Sequence, residues 1–534
     1  MKIKFLGGAR TVTGSCFYLS HGDVRILVEC GMHQGQDADA VNRAAFEFDP
    51  SEISCLFLTH SHLDHIGLVP RLVKEGFKGE IITTSAAADI IELILYDSAH
   101  IQESDSEWHN RKALQSGEQP IEPLYSRKDV LMVLPLIERK KYNVMERLCK
   151  GIRYRFVDAG HILGSATLEL WYQDGQGEKK IVFSGDIGRP AQLLMEDPSI
   201  IDAADFLFVE STYGDRDHKN EDDSLNELAE AIAYSYGNRE KVIIPAFAVE
   251  RTQEIMYCLY LLARDGRLPQ DMPVYLDSPL AIQATEIFRH HTAYLDEETR
   301  ELIKKGDDPL HLPQLRFTPT TDESIAINTK SEPAIVISAS GMADAGRIKH
   351  HLRHNIWREG ASIVFVGFQA QGTTGRKIID GAKKIRLFNE EIAVKARIFT
   401  INGFSAHAGQ SQILEWLSHF KTRDMQVFLV HGEFSAQQTL AGLIKERFGF
   451  KVLIPDYLEE TTLESGRVLK RVEYPEKATP GIDWDYIIGD IESRFARLKE
   501  RKSSLVSKPW VEQTELRDRL LELDRVLIEI NSEV

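Results

Sequence analysis

The stretch Thr59-His-Ser-His-Leu-Asp-His-Ile-Gly67 places four potential metal ligands, His60, His62, Asp64 and His65, within six residues. It follows Ile53-Ser-Cys-Leu-Phe-Leu58, an apolar run of the kind that forms a short buried strand. Side chains alternate where a strand runs out into a loop, so His60 and His62 project to one side. Asp64 and His65 lie further round the turn. The arrangement suits two metals side by side, His60 and His62 on one, Asp64 and His65 on the other. Imidazole with carboxylate is a ligand set that zinc accepts. Further on, Ile181-Val-Phe-Ser-Gly-Asp-Ile-Gly188 reads as a strand ending in a glycine-flanked acid. Asp186 there fits a carboxylate that bridges both metals, as two-metal hydrolysis requires.

Other elements must bring these groups together. Three strand-like runs open the chain, Lys2–Leu6, Cys16–Ser20 and Arg25–Glu29, punctuated by Gly7-Gly8 and Gly14. Residues 68 to 150 read as mostly helical, with Ala86–Leu95 and Arg127–Glu138 at helical spacing. His100 and His109, within them, read as surface or packing residues. The loop Asp158-Ala-Gly-His-Ile-Leu-Gly-Ser165 carries His161 between two strands, one ending near Val157 and the other Ala166–Tyr172. Phe206–Val209 then delivers Glu210 into a turn.

From about 210 to 392, strands (Val242–Ile244, Val274–Leu276, Ala334–Ser338, Ile363–Val366) alternate with helical segments (Leu225–Tyr234, Thr252–Ala263, Ala281–Arg289). That alternation predicts a parallel sheet covered by helices. Its exits Ser338-Ala-Ser-Gly-Met342 and Gly367 to Arg376 are rich in glycine and hydroxyls, and ligands of such sheets bind beyond the carboxyl ends of strands. Ser338, Ser340, Gly341, Gly372, Thr373 and Arg376 are therefore candidate contacts to a phosphate. Arg251 either joins them or makes a structural salt bridge.

A chain of 534 residues is too long for one ordinary core, so two or three domains are expected. Hydrophobic content of 43 % and charged content of 27 % are those of a soluble globular protein. No apolar run is long enough for a membrane span, and the first residues lack the apolar region of a signal peptide. The five scattered cysteines read as buried thiols in a reducing cytoplasm. A net charge of −17 argues against a protein that coats polyanions, and predicts that any polyanion is held locally, at the site.

Taken in order, these motifs resemble the metallo-β-lactamase superfamily, whose H-x-H-x-D-H signature matches His60 to His65. Later ones narrow the resemblance to the β-CASP nucleases, which include ribonuclease J and the endonuclease of mRNA 3′-end processing. Glu210-Ser-Thr-Tyr-Gly-Asp-Arg-x-His218 looks like the entry to the β-CASP domain, with His218 steadying the turn. Phe404-Ser-Ala-His407 and Val430-His-Gly-Glu433 look like the two signature histidines of that family.

The resemblance covers roughly residues 1 to 470. It implies an α/β fold: a metallo-β-lactamase αββα sandwich from residues 1–209 and 393–470, interrupted by a β-CASP domain at 210–392. Outside the resemblance, apolar residues at helical spacing predict a helical extension at 471–534, packed on the body or pairing two chains into a homodimer. His161 would join His60 and His62 on one zinc, and His431 would join Asp64 and His65 on the other, with Asp186 between. Glu29, where the family usually carries Asp, would steady the centre from behind. His407 would donate a proton to the leaving oxygen, oriented by Glu210, while Asp64 and Asp186 serve the chemistry as well as the metals. Ser405, in the same motif as His407, would touch substrate.

The activity implied is that of a cytoplasmic, zinc-dependent ribonuclease with two Zn2+ per chain. It would cleave single-stranded RNA as an endonuclease, a 5′→3′ exonuclease or both. DNA-processing members carry a small aliphatic residue where His431 stands, so the rival reading as a DNA nuclease is disfavoured. A catalytically silent RNA-binding subunit should have lost ligands, and all seven are present.

Overall fold

The computed structural model describes residues 1–472 apart from 36–37, 117–118, 176, 218–220, 368, 370–371, 402, 404, 423 and 465–466. Beyond 472 it describes 495, 498–499, 502, 510, 512–514, 516–517, 519–521, 523 and 525.

Alternating apolar residues build two sheets that share one core. The eight-stranded sheet runs in the order Arg467–Val472, Glu460–Glu464, Lys2–Gly7, Cys16–His21, Val24–Val28, Cys55–Phe57, Glu80–Thr84, Ile137–Lys140. The seven-stranded sheet runs Lys451–Leu453, Gln426–Val430, Phe206–Glu210, Gly177–Phe183, Ala166–Asp174, Ile152–Asp158, Glu146–Cys149. Phe5, Phe17 and Phe57 from the first meet Phe156, Phe183, Phe208 and Phe428 from the second in one buried cluster. The Phe208 ring stacks on Phe183 at 4.5 Å and on Phe428 at 4.6 Å. Such pairs add about 0.5–1.5 kcal/mol each beyond the area they bury. Helices Val69–Lys74, Ser85–Ser116 and Arg127–Val133 cover the outer face of the first sheet, and Gln410–Ser418 and Phe434–Phe448 that of the second. This is the αββα sandwich.

The third sheet runs Leu315–Phe317, Val274–Leu276, Ile335–Ser338, Val242–Pro245, Ser362–Val366, Arg397–Ile401, and every pair in it is parallel. Parallel strands need crossovers, and helices Arg251–Arg264, Pro279–His290, Ile348–Asn355 and Thr374–Ile379 supply them. One core cluster of this sheet continues into Ala86, Ile90, Leu163 and Leu194 of the sandwich, so apolar packing joins insertion and host. Because all six strands point the same way, their carboxyl ends share one edge.

Several expectations change. The strand Arg397–Ile401 pairs with Ser362–Val366, so the chain leaves the inserted sheet after Ile401 rather than at 393. Glu210 still ends a strand of the second sheet. The region read as mostly helical contains three strands, Glu80–Thr84, Ile137–Lys140 and Glu146–Cys149; pairing with neighbours overrides a weak local pattern there. Cys149 is only half-buried, since its strand is an edge, while Cys16, Cys30, Cys55 and Cys258 are buried; none of the five is in a disulfide. His218 and most of the expected C-terminal helices, and with them any homodimer contact, lie outside the described residues. Thr479–Val534 forms a separate unit whose described residues are helical. Among the described residues, no helix is long and apolar enough to cross a membrane.

Candidate active site

Each expected ligand sits where a strand ends. Cys55–Phe57, buried between its neighbours, runs into His60 and His62; the short helix Leu63–Ile66 then turns Asp64 and His65 inward. Asp186 follows Gly177–Phe183, Glu210 closes Phe206–Glu210, and His431 follows Gln426–Val430. These three strands are adjacent and parallel, so their carboxyl ends converge. His161 comes from the loop after Ile152–Asp158, and His407 arrives from the last strand of the third sheet.

The side chains fall into three groups: His60, His62, His161 and Asp186; Asp64, His65 and His431; Asp186, Glu210 and His407. Asp186 divides between the first two. Its Oδ2 lies 3.3 Å from His60 Nε2 and 3.6 Å from His161 Nε2. Its Oδ1 lies 3.5 Å from His65 Nε2 and 3.6 Å from His431 Nδ1. His62 Nδ1 is 3.1 Å from His60 Nε2 and 3.3 Å from His161 Nε2. Asp64 Oδ2 is 3.4 Å from His431 Nε2.

The electrostatics of the centre favour cations. Burial pushes His60 down to about 3 and His62 down to about 4, so both are neutral with lone pairs free to coordinate. Burial also lowers His161 strongly. For His431, burial lowers the pKa, but Asp186 and then Asp64 outweigh it and push it up to about 10. The carboxylates thus demand positive charge in the centre. His65 Nε2 and Asp186 Oδ1 are buried and, among the described residues, have no hydrogen-bond partner. Orphaned buried polar atoms are costly, and a cation between them removes the cost. The residues fit bound metal cations.

Behind the centre lies Glu29, one methylene longer than the Asp usual in the family. It is buried, its Oε1 accepts the Thr59 N–H at 3.1 Å, and its Oε2 lies 3.8 Å from His65 Nδ1. Glu29 and His431 both adopt positive φ, at 62° and 47°, a strain characteristic of functional positions. Glycine permits the closest approach of loops: a Cβ on Gly188 would lie 1.7 Å from the Gly160 carbonyl oxygen, so the Asp186 and His161 loops could not meet.

His407 lies at the mouth. Its side chain is 21 % exposed and that of Asp64 19 %, whereas Asp186 is at 2 %, so solvent reaches the centre past these two. His407 Nδ1 is 3.3 Å from Glu210 Oε1 and 3.9 Å from Asp186 Oδ2. Burial lowers its pKa, but Glu210 and Asp186 outweigh burial and raise it above the usual value. Glu210 is held by the Ile187 N–H at 2.6 Å and by Thr212 Oγ1, which donates at 2.6 Å.

The expected phosphate contacts divide. Ser340, Gly372 and Thr373 lie on the edge shared by the strand exits, partly or fully exposed, and Gly341 is buried beside them. Ser405 is buried two residues before His407. Ser338 is buried and donates to the Asp277 carbonyl at 2.8 Å, so it is structural. Arg251 is also structural: its buried guanidinium pairs with Glu254 and Glu250. Arg376 pairs with Asp380 one helical turn on, at 2.9 Å. Spacing alone shows neither partner.

Three residues were not singled out from the sequence. Thr212 links Glu210 to His431, 3.0 Å from Nδ1; its signal was its place within the E-S-T-Y-G turn. Phe247 is 47 % exposed on the same edge, its ring against Gly341. Arg189 donates from its backbone to the Ala406 carbonyl at 3.2 Å and from Nη1 to the Gly403 carbonyl at 2.5 Å. It therefore grips the loop that carries His407.

Comparison with known proteins agrees with this architecture. Residues 9–131 match the metallo-beta-lactamase superfamily, 252–378 the Beta-Casp domain, and 391–455 the Zn-dependent metallo-hydrolase RNA specificity domain. The chain is 36 % identical over 447 residues to Ribonuclease TTHA0252 of Thermus thermophilus, covering 84 % of this chain and 96 % of that protein. The chain belongs to the β-CASP family of the metallo-β-lactamase superfamily. Two other β-CASP relatives are named transcription termination factor FttA. The one from Methanocaldococcus jannaschii is 29 % identical, over 86 % of this chain and 71 % of its own. That from Methanococcus maripaludis is 30 % identical, over 87 % and 72 %. A solved structure of a protein of unknown function from Enterococcus faecalis shares the fold, with a TM-score of 0.51 at 13 % identity, over 86 % of this chain and 99 % of that one.

Proposed function

We propose that this β-CASP protein is a cytoplasmic, zinc-dependent ribonuclease that hydrolyses phosphodiester bonds of single-stranded RNA. The observation that carries the reading is the division of Asp186, whose two oxygens face two separate sets of ligands beside a partly exposed imidazole. The relative named a ribonuclease and the match to an RNA specificity domain support RNA as substrate.

His60, His62 and His161 would hold one Zn2+ and Asp64, His65 and His431 the other, with Asp186 serving both. Bound there, two zinc ions supply Lewis acidity and water whose pKa is near neutral. The protein's own residues do the rest. His407, kept protonated by Glu210 and Asp186, gives its proton to the leaving 3′ oxygen. Glu210, pinned by the Ile187 N–H and the Thr212 hydroxyl, fixes the imidazole for that transfer. The products carry 5′-phosphate and 3′-hydroxyl ends. Exposed Ser340, Gly372 and Thr373 offer contacts to flanking phosphates, and Phe247 a face for a base.

The test is cleavage of one single-stranded RNA, labelled at the 5′ end or internally, and of a matched DNA strand, with zinc and with Asp64→Ala as control. RNA cutting that spares DNA and fails in the variant is expected. Nucleotides released from the 5′ end would make it an exonuclease, internal fragments an endonuclease. Equal cutting of DNA would overturn the RNA assignment.

A further inference from the structure

The chain is acidic overall, yet residues 347–397 hold eleven Lys and Arg against four Asp and Glu, a net +7 within a total of −17. Lys349, Arg353, Lys384 and Arg386 of this set lie on one helix and one hairpin of the inserted domain. Helix Ile348–Asn355 begins just beyond the loop that carries Ser340 and Gly341, and it presents Lys349, His350, Arg353 and His354. The hairpin of Lys384–Leu387 and Glu390–Ala393 shares a core cluster with it and is tied to it by Arg353 and Glu390. At the hairpin's tip the Phe388 ring remains 42 % exposed. Lys349 Nζ lies 5.2 Å from its centre, the Arg353 guanidinium 5.9 Å, and the His350 ring 4.5 Å at 32°.

Two details set this patch apart from an ordinary solvated face. Phe388 and Asn389 both have positive φ, 48° and 67°, in a two-residue turn where Asn-Gly is the unstrained choice. A bulky aromatic residue there is an outlier that costs stability and presents the ring to solvent. The cations are also only partly neutralised. Seven of the eleven pair with carboxylates, among them Arg353 with Glu390 and Lys384 with Glu391, but among the described residues Lys349, Lys383 and Arg386 have no carboxylate partner. Burial, and after it the neighbours His351, Arg353 and Lys349, lower the pKa of His350; burial, then Arg353 and further basic neighbours, lower that of His354.

We infer that Phe388, with Lys349 and the cations around it, is a second contact for single-stranded RNA, a stacking platform for a base distant from the scissile bond. Unspecific single-strand binding needs this combination: an aromatic face that accepts any base, and cations that follow the backbone. The helix starts at the edge holding the candidate phosphate contacts and runs back from it, so one strand of RNA can lie along both. The inference rests on the ribonuclease reading and adds a determinant of substrate length to it.

The experiment compares a long single-stranded RNA with a short oligonucleotide that spans only the scissile bond and its neighbours. Wild-type protein is set beside Phe388→Ala, Phe388→Gly, Phe388→Tyr and Lys349→Ala. Phe388→Ala should weaken Kd for the long RNA by roughly tenfold, the scale of one lost base stack. Turnover of the short oligonucleotide should be unchanged. Phe388→Gly, which relieves the turn, should lose the same affinity while melting no lower than wild type. Phe388→Tyr should retain it. Lys349→Ala should reduce the slope of log Kd against log salt by about 0.7, one phosphate contact on a single strand. Wild-type affinity and salt slope in these variants, with wild-type protein cutting RNA, overturns the platform alone. If wild-type protein neither binds nor cuts RNA, the ribonuclease reading falls and the platform with it.

Discussion

At the scale of the residue, the proposed roles separate groups that would hold metal from one that would move a proton. His407 belongs to no ligand set except through Asp186, is more exposed than that carboxylate, and leans on Glu210. His407→Ala should therefore keep both metals and lose cleavage by about 10²–10⁴-fold, the usual worth of a general acid. Asp64→Ala should lose metal as well as activity. Metal analysis of both variants beside a cleavage assay checks the division; a His407 variant with wild-type turnover would remove the proton-donor role. His60, His62, Asp64 and His65 were legible from type and spacing and Asp186 from its glycine-flanked strand end, whereas His161 and His431 came from the family resemblance. The structure brings all seven candidates together. Ser338, Arg251 and Arg376 were not legible in the same way. Whether a hydroxyl or guanidinium is available depends on its partner, and the Asp277 carbonyl, Glu254 and Asp380 are partners that only the fold reveals.

At the scale of the element, long buried strands such as Phe206–Glu210 and Gln426–Val430 could be read directly, since apolar runs bounded by turns have few other fates. Edge strands such as Glu146–Cys149 could not, and neither could the sheet to which Arg397–Ile401 belongs. Alternation identifies a strand but not its neighbour. That last assignment matters for catalysis, because the His407 loop leaves the inserted sheet and must be secured to the sandwich. Backbone contacts Ala408 N–H to Ile187 and Arg189 N–H to Ala406 secure part of it. The Arg189 side chain adds the rest, reaching Gly403 with one nitrogen while the other lies 3.5 Å from Glu254 of the inserted domain. Lysine cannot span both, being a single point donor. Arg189→Lys should keep its metals and its KM while kcat falls by roughly 10–100-fold, the cost of a small misplacement of a catalytic group. Steady-state kinetics with metal analysis decides it, and an unchanged kcat would mean that the backbone pairs position the loop unaided.

At the scale of the whole molecule, the candidate centre also acts on the fold. Its ligands span positions 60 to 431 and come from the strand ends of both facing sheets, so bound ions would tie together parts of the chain far apart in sequence. Without cations, Asp186 and Asp64 are ionised acids among imidazoles, and among the described residues His65 Nε2 and Asp186 Oδ1 have no hydrogen-bond partner. Removing metal should thus lower the melting temperature as well as stop turnover. A ligand at a hundredfold excess over its Kd contributes about 2.7 kcal/mol to the folded state, enough to see by calorimetry. Chelated protein should melt lower, recover in proportion to added zinc, and saturate at two equivalents per chain. His431→Ala, which takes one ligand from one set only, should recover less and saturate near one. Loss of cleavage without any change in melting would mean that packing of the Phe5, Phe208 and Phe428 core holds the sheets together alone, and that the metals serve chemistry only.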